Sequence, residues 1–523
     1  MNSTPFRLLP LVVALAFIAL SILGLDAQGL YYDEVHQAPA AFFYIGERPQ
    51  TFVVPVMGIP VLNMTYSGAI KSTLYGLYLR FIGGRFGVVS WRLMGVLFVA
   101  AALLFFLRAA FAGPPAGSAC LFSVLMLTDT SALLMTRHDW GPVALALALR
   151  LGFAGVWIAS ARNPTRVGSF IGGLIVGLAI FEKLSAVVLL IPFSIFLFGV
   201  RGRFREGGVP ALLGFVSGII PLLVVNLASL RRGAGLISLS AVQPVGAFRL
   251  KAAIDHAWGY LTLGHGEGSR GMIFGDYTSF APGAEAALLL ILQTIVVVAA
   301  VRRRSNLELR LAAGCAASYL LIGIALFLMP ATTSNHHWIL GTPFQYAAVA
   351  LAWAGLSETD AGRRGPRVCA AAMLAAALIL FIARIPNVAA VEGAFAQGKA
   401  SAEFDPEFTR LAEMAAMRAD EAVFVAADWG TANQIYCLAN GKPDFVYEPF
   451  WGEDTAANAR GIASTTTKRA LYVVVAGIAP AFAGVADPIE DAIAEDPLWE
   501  EAPVEREFAE LRRIRVRKFE RRD

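Results

Sequence analysis

The stretch VVSWRLMGVLFVAAALLFFLRAAF, residues 88–111, decides the fold class. An α-helix rises about 1.5 Å per residue, so some twenty apolar residues cross the roughly 30 Å hydrocarbon core of a bilayer. Working outward from it, similar stretches recur near 8–25, 117–136, 143–159, 169–182, 185–200, 209–228, 284–301, 311–329, 338–356 and 368–384. Together these read as about eleven transmembrane helices. The short stretch 169–182 ends at Glu182-Lys183. Hydrophobic residues make up 57% of the 523 and charged residues only 16%, with a mean hydropathy of +0.61. Such a balance excludes a disordered chain, a collagen-like repeat or a disulfide scaffold, and argues against a purely soluble enzyme.

The net charge of +4 conceals a division. Residues 1–384 carry 28 Lys/Arg against 15 Asp/Glu, whereas residues 385–523 carry 15 against 24. The positive charges sit in short clusters between apolar runs, so no nucleic-acid partner is expected. Arg108, Arg162/Arg166, Arg201/Arg203/Arg205, Arg302/Arg303/Arg304/Arg310 and Arg363/Arg364/Arg367 all fall on one set of alternate connections. The positive-inside rule makes that set cytoplasmic and the N-terminus cytoplasmic with it. An odd number of spans then puts residues 385–523 outside. The first span has a single positive residue before it, Arg7, and ten spans after it, which reads as an uncleaved anchor. Cys120, Cys315, Cys369 and Cys437 form no disulfide framework, and Asn63-Met64-Thr65 is a sequon of the kind that usually arises by chance.

This organisation implies a membrane domain over 1–384, with outer loops 26–87 and 229–283, and an outer α/β domain over 385–523. In the tail, Asp405-Pro406 opens a helix over 404–418, and Val423–Ala426, Phe445–Tyr447 and Leu471–Val475 read as short strands. Helical patterns occupy 430–439 and 487–495, and alternation over Leu511–Phe519 predicts a final edge strand with its arginines facing water.

Ionisable residues at the outer ends of spans are the candidates for chemistry, because charge in a membrane protein needs a reason. Asp33-Glu34, within Tyr31-Tyr32-Asp33-Glu34-Val35-His36, lies just past the first span. Adjacent carboxylates there can act as a base or bind a metal; Asp33 capping a helix with Glu34 in its first turn is the competing reading. Arg137-His138-Asp139-Trp140-Gly141-Pro142 forms the tight outer turn after the third span. Here the competing reading makes Asp139 a helix start and Trp140 part of an interfacial aromatic belt. Tyr66, Lys71, Lys183 and the pair His336-His337 lie on the same side. Acids for a general base, lysines for an anionic group and a histidine pair suggest group transfer at the outer leaflet. Inside spans three and four, Asp129 and Arg150 stand at matched distances from Trp140, which predicts a buried ion pair.

The ordered set Asp33-Glu34, Met64–Ser72, Arg137–Pro142, Phe181–Lys183 and His336–Phe344, followed by a globular outer tail, resembles the GT-C fold glycosyltransferases. The resemblance is to bacterial family 39 proteins akin to protein O-mannosyltransferases and lipid A aminoarabinose transferases, and it covers the organisation of residues 1–384. It implies an inverting transferase of the bacterial inner membrane. Such an enzyme uses a polyprenyl-phosphate sugar donor and a lipid, glycan or protein acceptor at the outer face of the bilayer. By carry-over, Asp33 would be the general base with Glu34 beside it, and Asp139 would orient the acceptor or a divalent ion. Lys71, Lys183 and one of His336/His337 would neutralise the leaving phosphate, with His138, Trp140 and Tyr66 supporting the acceptor. A divalent metal on Asp33 and Asp139 is the one cofactor this leaves open. Many relatives carry His-Pro-Pro where this chain has Ser67-Gly68-Ala69-Ile70-Lys71, so donor and acceptor identity do not carry over. A polytopic transporter or flippase is the other class the span number suits, although no inverted repeat supports it. A membrane sensor would need a cytoplasmic output domain, and the sequence has none.

Overall fold

A computed structural model describes residues 4–48, 52–199, 207–239, 250–262, 267–275, 282–326, 335–357, 364–477, 482 and 484–522. Arg201, Arg203, Arg205, Arg363 and much of loop 229–283 lie outside these residues. Within the described residues each of the eleven apolar stretches is largely helical. Helix α1 is Thr4–Ile22, and α2 (Tyr32–Val35) and α3 (Ile70–Ile82) belong to the first loop. Then come α4 (Val88–Ala110), α5 (Ala116–Leu127), α6 (Thr130–His138), α7 (Val143–Arg162), α8 (Arg166–Glu182), α9 (Leu190–Gly199) and α10 (Val209–Arg231). Short helices α11 (Leu250–Leu261) and α12 (Glu267–Phe274) precede α13 (Pro282–Arg302), α14 (Leu307–Leu326), α15 (Asn335–Trp338), α16 (Phe344–Ser357) and α17 (Arg364–Ala396). Among the described residues seven helices are long and apolar enough to cross a membrane, or eight if the bent pair α5–α6 is one span. The remaining stretches form shorter apolar helices. Helix α17 runs through residue 384, the expected domain boundary, to Ala396.

Glycines let α8 and α10 meet backbone to backbone. A Cβ at Gly173 would stand 1.8 Å from the Ala211 carbonyl oxygen, and one at Gly214 would stand 2.0 Å from that of Phe170. Small residues permit such contact where lipid supplies no hydrophobic drive between helices. The α5–α6 pair bends by 61°. Asp129 caps the second half, accepting from the Ser131 amide at 2.9 Å, and also accepts from the Tyr346 hydroxyl at 2.7 Å. Arg384 extends the network to Tyr346 (2.9 Å) and Glu285 (3.1 Å). The expected Asp129–Arg150 pair does not form. Arg150 instead donates to the Thr342 and Ile339 carbonyls at 2.9 and 3.3 Å, just before α16. Matched depth says nothing about helix azimuth, and the break at Asp129 rotates its side chain toward α16 and α17.

The first loop carries a small antiparallel sheet of β1 (Val54–Val56), β2 (Ile59–Met64) and β3 (Ser67–Gly68). Asn63 is buried and donates to the Gly68 carbonyl and the Ser72 hydroxyl, so the sequon is a structural asparagine.

In the tail, α18 (Pro406–Met417) begins where Asp405 accepts from the Glu407 amide at 2.8 Å. Strand β4 (Ala422–Ala426), α19 (Thr431–Leu438), β5 (Val446–Tyr447), α20 (Thr455–Thr465) and β6 (Ala470–Ala476) follow. The chain then forms α21 (Ala486–Ala494), β7 (Trp499–Ala502), α22 (Arg506–Ala509) and β8 (Ile514–Arg521). The sheet order is β5-β4-β6-β8-β7, with β5, β4 and β6 parallel and β8 antiparallel to both neighbours. The last strand is therefore interior. The edge belongs to β7, whose sequence Trp-Glu-Glu-Ala carries no β-branched signal. On one sheet face Phe424, Tyr472 and Val474 join a core with Leu30, Phe42, Tyr75 and Trp91 of the first loop and α4. The tail and the loop bearing Asp33-Glu34 thus share one hydrophobic core.

Candidate active site

Helix α2 is a single turn, and it separates two adjacent carboxylates. Glu34 is fully buried, and its oxygens take the Arg92 guanidinium in a fork, Nε to Oε1 at 2.7 Å and Nη2 to Oε2 at 2.8 Å. Its Oε2 also accepts from the Tyr31 amide at 3.4 Å, so Glu34 is the residue that closes the helix start. Asp33 caps nothing. Its carboxylate is half-buried and accepts no hydrogen bond among the described residues. Burial raises this carboxyl to about 6; Lys183 opposes the rise and Glu403 of the tail adds to it. Tyr66, from the turn between β2 and β3, is close enough to feel the Asp33 charge.

The lysines divide in the same way. Lys71, at the start of α3, is buried, pairs with Asp139 Oδ2 at 2.5 Å and lies 3.7 Å from the centre of the Trp91 ring. The other Asp139 oxygen accepts from the Ala144 amide at 2.7 Å, and the Asp139 backbone takes the left-handed conformation with φ +42°. Glu182 accepts from the Ile70 and Lys71 amides at 3.0 and 3.4 Å, capping α3 from across the bundle. Ser67 bridges Lys183 in antiparallel register. The motif around Lys71 and the Phe181-Glu182-Lys183 motif are therefore one local structure. The Lys183 ammonium, in the turn after α8, forms no hydrogen bond or ion pair among the described residues. Burial lowers it to about 8, while Asp33 and Asp139 oppose that fall. It reaches the Gly141 turn, where a Cβ would stand 2.9 Å from Nζ.

Of the other sequence candidates, Trp140 and His336 lie beside this pair and His138 does not. Trp140 is buried edge-on to Tyr31 at 5.2 Å and 6.1 Å from the His336 ring. His336 stacks beside His337 at 4.0 Å and interacts electrostatically with Lys183. His138 is buried between Phe395 and Phe404, a packing position away from the open carboxylate. Among the described residues no three His, Cys, Asp or Glu side chains group to hold a metal ion. Both Asp139 oxygens are already engaged, so the Asp33/Asp139 pair does not fit a resident divalent cation.

Sequence reasoning missed Arg92, which lies inside an apolar run and reads as a stray charge. It missed His36, whose Nδ1 meets the Tyr32 carbonyl and whose Nε2 meets Asn433 at 2.9 Å. It also missed the tail's contribution. Trp429 packs on Tyr32 at 4.1 Å, Phe404 stacks on Tyr31 at 4.8 Å, and a Cβ at Gly430 would stand 2.1 Å from that of Tyr32. An arginine in the second turn of a long apolar helix, at the end where the membrane span begins, is the one local signal that could have found Arg92.

No protein-family model matches the sequence, and no curated protein matches it. Solved structures do. ArnT from Cupriavidus metallidurans bound to undecaprenyl phosphate superposes with a TM-score of 0.59 at 12% identity, covering 99% of this chain and 98% of that one. Its apo state gives 0.56 at 13% identity with the same coverage. The oligosaccharyltransferase AglB from Archaeoglobus fulgidus, in complex with an inhibitory peptide and a dolichol-phosphate, gives 0.49 at 12%, covering 90% of this chain and 69% of that one. The likeness to ArnT over nearly the whole of both chains shows that this protein has the GT-C fold, membrane helices and C-terminal tail together.

Proposed function

We propose that this chain is an inverting glycosyltransferase that moves a sugar from a polyprenyl-phosphate donor to an acceptor hydroxyl at the outer face of a bacterial inner membrane. One observation carries the reading. Where four carboxylates and two lysines converge, Lys71 and Asp139 satisfy each other, Arg92 satisfies Glu34 and backbone amides satisfy Glu182, which leaves the Asp33 carboxylate and the Lys183 ammonium without hydrogen-bond or ion-pair partners among the described residues. ArnT, which shares the fold, has been solved with undecaprenyl phosphate bound, and this supports a lipid phosphate as the donor's leaving group.

In this mechanism the Asp33 carboxylate takes the proton from the acceptor hydroxyl. The hydroxyl oxygen attacks the anomeric carbon from the face opposite the phosphate, and the bond from that carbon to the phosphate oxygen breaks with inversion. The departing polyprenyl phosphate carries the electron pair; Lys183 meets its charge, and the His336 ring, whose buried Nδ1 has no partner among the described residues, can offer it a hydrogen bond. A carboxyl at about 6 is ionised at neutral pH yet more basic than an exposed aspartate, which suits a general base. Glu34 and Asp139 are positioning residues here, holding α2 and the Lys71 turn. Purified protein in liposomes, supplied with a radiolabelled polyprenyl-phosphate sugar, tests the reading. Asp33→Asn keeps the shape and removes the base, so transfer is expected to fall at least about a hundredfold with folding preserved. Near-normal turnover would dismiss Asp33 as base. Movement of label across the bilayer without transfer would favour a transporter.

A further inference from the structure

The tail holds a second concavity outside the site above. Strand β4 is followed by a helix on one sheet face (α19) and β5 by a helix on the other (α20), so the chain leaves these neighbouring strands toward opposite faces at their carboxyl ends. There a cavity of about 510 Å³ opens between the end of β5 and α20. Tyr447, Glu448, Trp451, Asn458, Gly461 and Thr465 supply its chemistry. Glu448 accepts from the Trp451 indole N–H at 2.7 Å and from the Gly430 amide at 3.0 Å, which fixes the edge of Trp451 and leaves the side chain 59% exposed. A tryptophan held at its edge and more than half exposed is a platform rather than a core residue.

The platform is continuous with the candidate base. Trp451 meets Trp429 at 6.3 Å and Phe482 at 5.8 Å, and Trp429 packs on Tyr32, the residue before Asp33. The Trp429 indole nitrogen is buried without a hydrogen-bond partner among the described residues. Among the described residues no lysine or arginine lines the cavity, and Glu448 does. Aromatic faces beside a carboxylate, an amide and a hydroxyl suit a pyranose, which presents an apolar C–H face and a rim of hydroxyls. The absence of lining cations disfavours phosphates and other anions, and the volume falls within the range of small-molecule sites.

We propose that this cavity is a carbohydrate subsite that holds an uncharged saccharide unit of the acceptor, with the Trp429–Tyr32 contact leading from it to Asp33. The proposal rests on the transferase reading and narrows its acceptor to a glycan or glycolipid.

Full-length protein in detergent is titrated with maltotetraose, mannotetraose or tetra-N-acetylchitotetraose, with sialyllactose as an anionic control. Tryptophan fluorescence and saturation-transfer NMR report binding. At least one neutral saccharide is expected to saturate with a millimolar Kd or tighter, and sialyllactose is not. Trp451→Ala should weaken binding at least tenfold. Gly461→Phe should do the same by filling the cavity. A Cβ at Gly461 meets nothing within 4 Å, so this variant is expected to melt like the parent. No saturation by about 10 mM, equal binding of sialyllactose, or parental affinity in the well-folded Gly461→Phe variant would each overturn the proposal. Specific binding of an unglycosylated peptide at this cavity instead would overturn it in favour of a protein acceptor. Binding reads the subsite separately from transfer: saccharide bound without any transfer would sink only the proposed function. Transfer without saccharide binding would sink only the subsite.

Discussion

Arg92→Met tests whether Glu34 is a structural partner or a reacting group. Every N–H of the Arg92 guanidinium is used. Besides the fork to Glu34, Nη1 donates to the Leu25 and Gln28 carbonyls at 2.6 and 2.9 Å, and Nη2 to that of Gly29 at 2.8 Å. Both side chains are buried, so methionine strands a carboxylate with no water to replace its partner. Breaking a buried ion pair from one side costs about 3–5 kcal/mol. Arg92→Lys should also destabilise, since an ammonium cannot reproduce the fork or reach all three carbonyls. In the double variant Arg92→Met/Glu34→Met the stranded charge is gone. Replacing a whole buried pair by apolar groups is often near neutral, and the three carbonyls that lose a donor limit the recovery. Melting in detergent and transfer rate are measured together. The single variant should melt well below the parent and express poorly, while the double regains most of the melting temperature and keeps measurable transfer. A single variant that melts like the parent would refute the clamp. A well-folded double variant with no transfer would make Glu34 a chemical participant.

Transfer should follow a bell-shaped pH profile. Asp33 must be deprotonated, so rate falls as pH drops through about 6; Lys183 must be protonated, so rate falls as pH rises through about 8. Lys183→Arg, charged throughout, should retain some activity and lose the alkaline limb, and an unchanged limb would remove Lys183 from the mechanism. Gly141→Ala places a Cβ 2.9 Å from the Lys183 ammonium at φ +67°, so it should displace that group and lower kcat/KM about tenfold or more, with little change in the Asp33 limb. Membrane-impermeant thiol reagents applied to cells should label a cysteine introduced at Gly461 and miss one at Gly365. The reverse pattern would turn every site residue to the wrong compartment.

The length of each apolar run is a local property, and so the helices, the capped start of α18 and the approximate strands of the tail were legible in the sequence. Candidate residues at span ends were legible for the same reason: charge beside a long apolar run is conspicuous. Which of those charges is open was not. Glu34 meets Arg92 from 58 residues away, Lys71 meets Asp139 across 68, and Glu182 caps a helix that begins 112 residues before it. No local pattern encodes these partners, because they are chosen by how helices rotate and stack once the bundle closes. The same long-range docking turned Arg150 away from Asp129, put β8 inside its sheet instead of at the edge and brought Trp429 onto Tyr32. By itself the sequence determined that this is a membrane bundle with acids and lysines on one rim and a folded tail. Only the tertiary structure decided that Asp33 and Lys183 are left without partners among the described residues, because neutralisation of the other charges depends on contacts between distant parts of the chain.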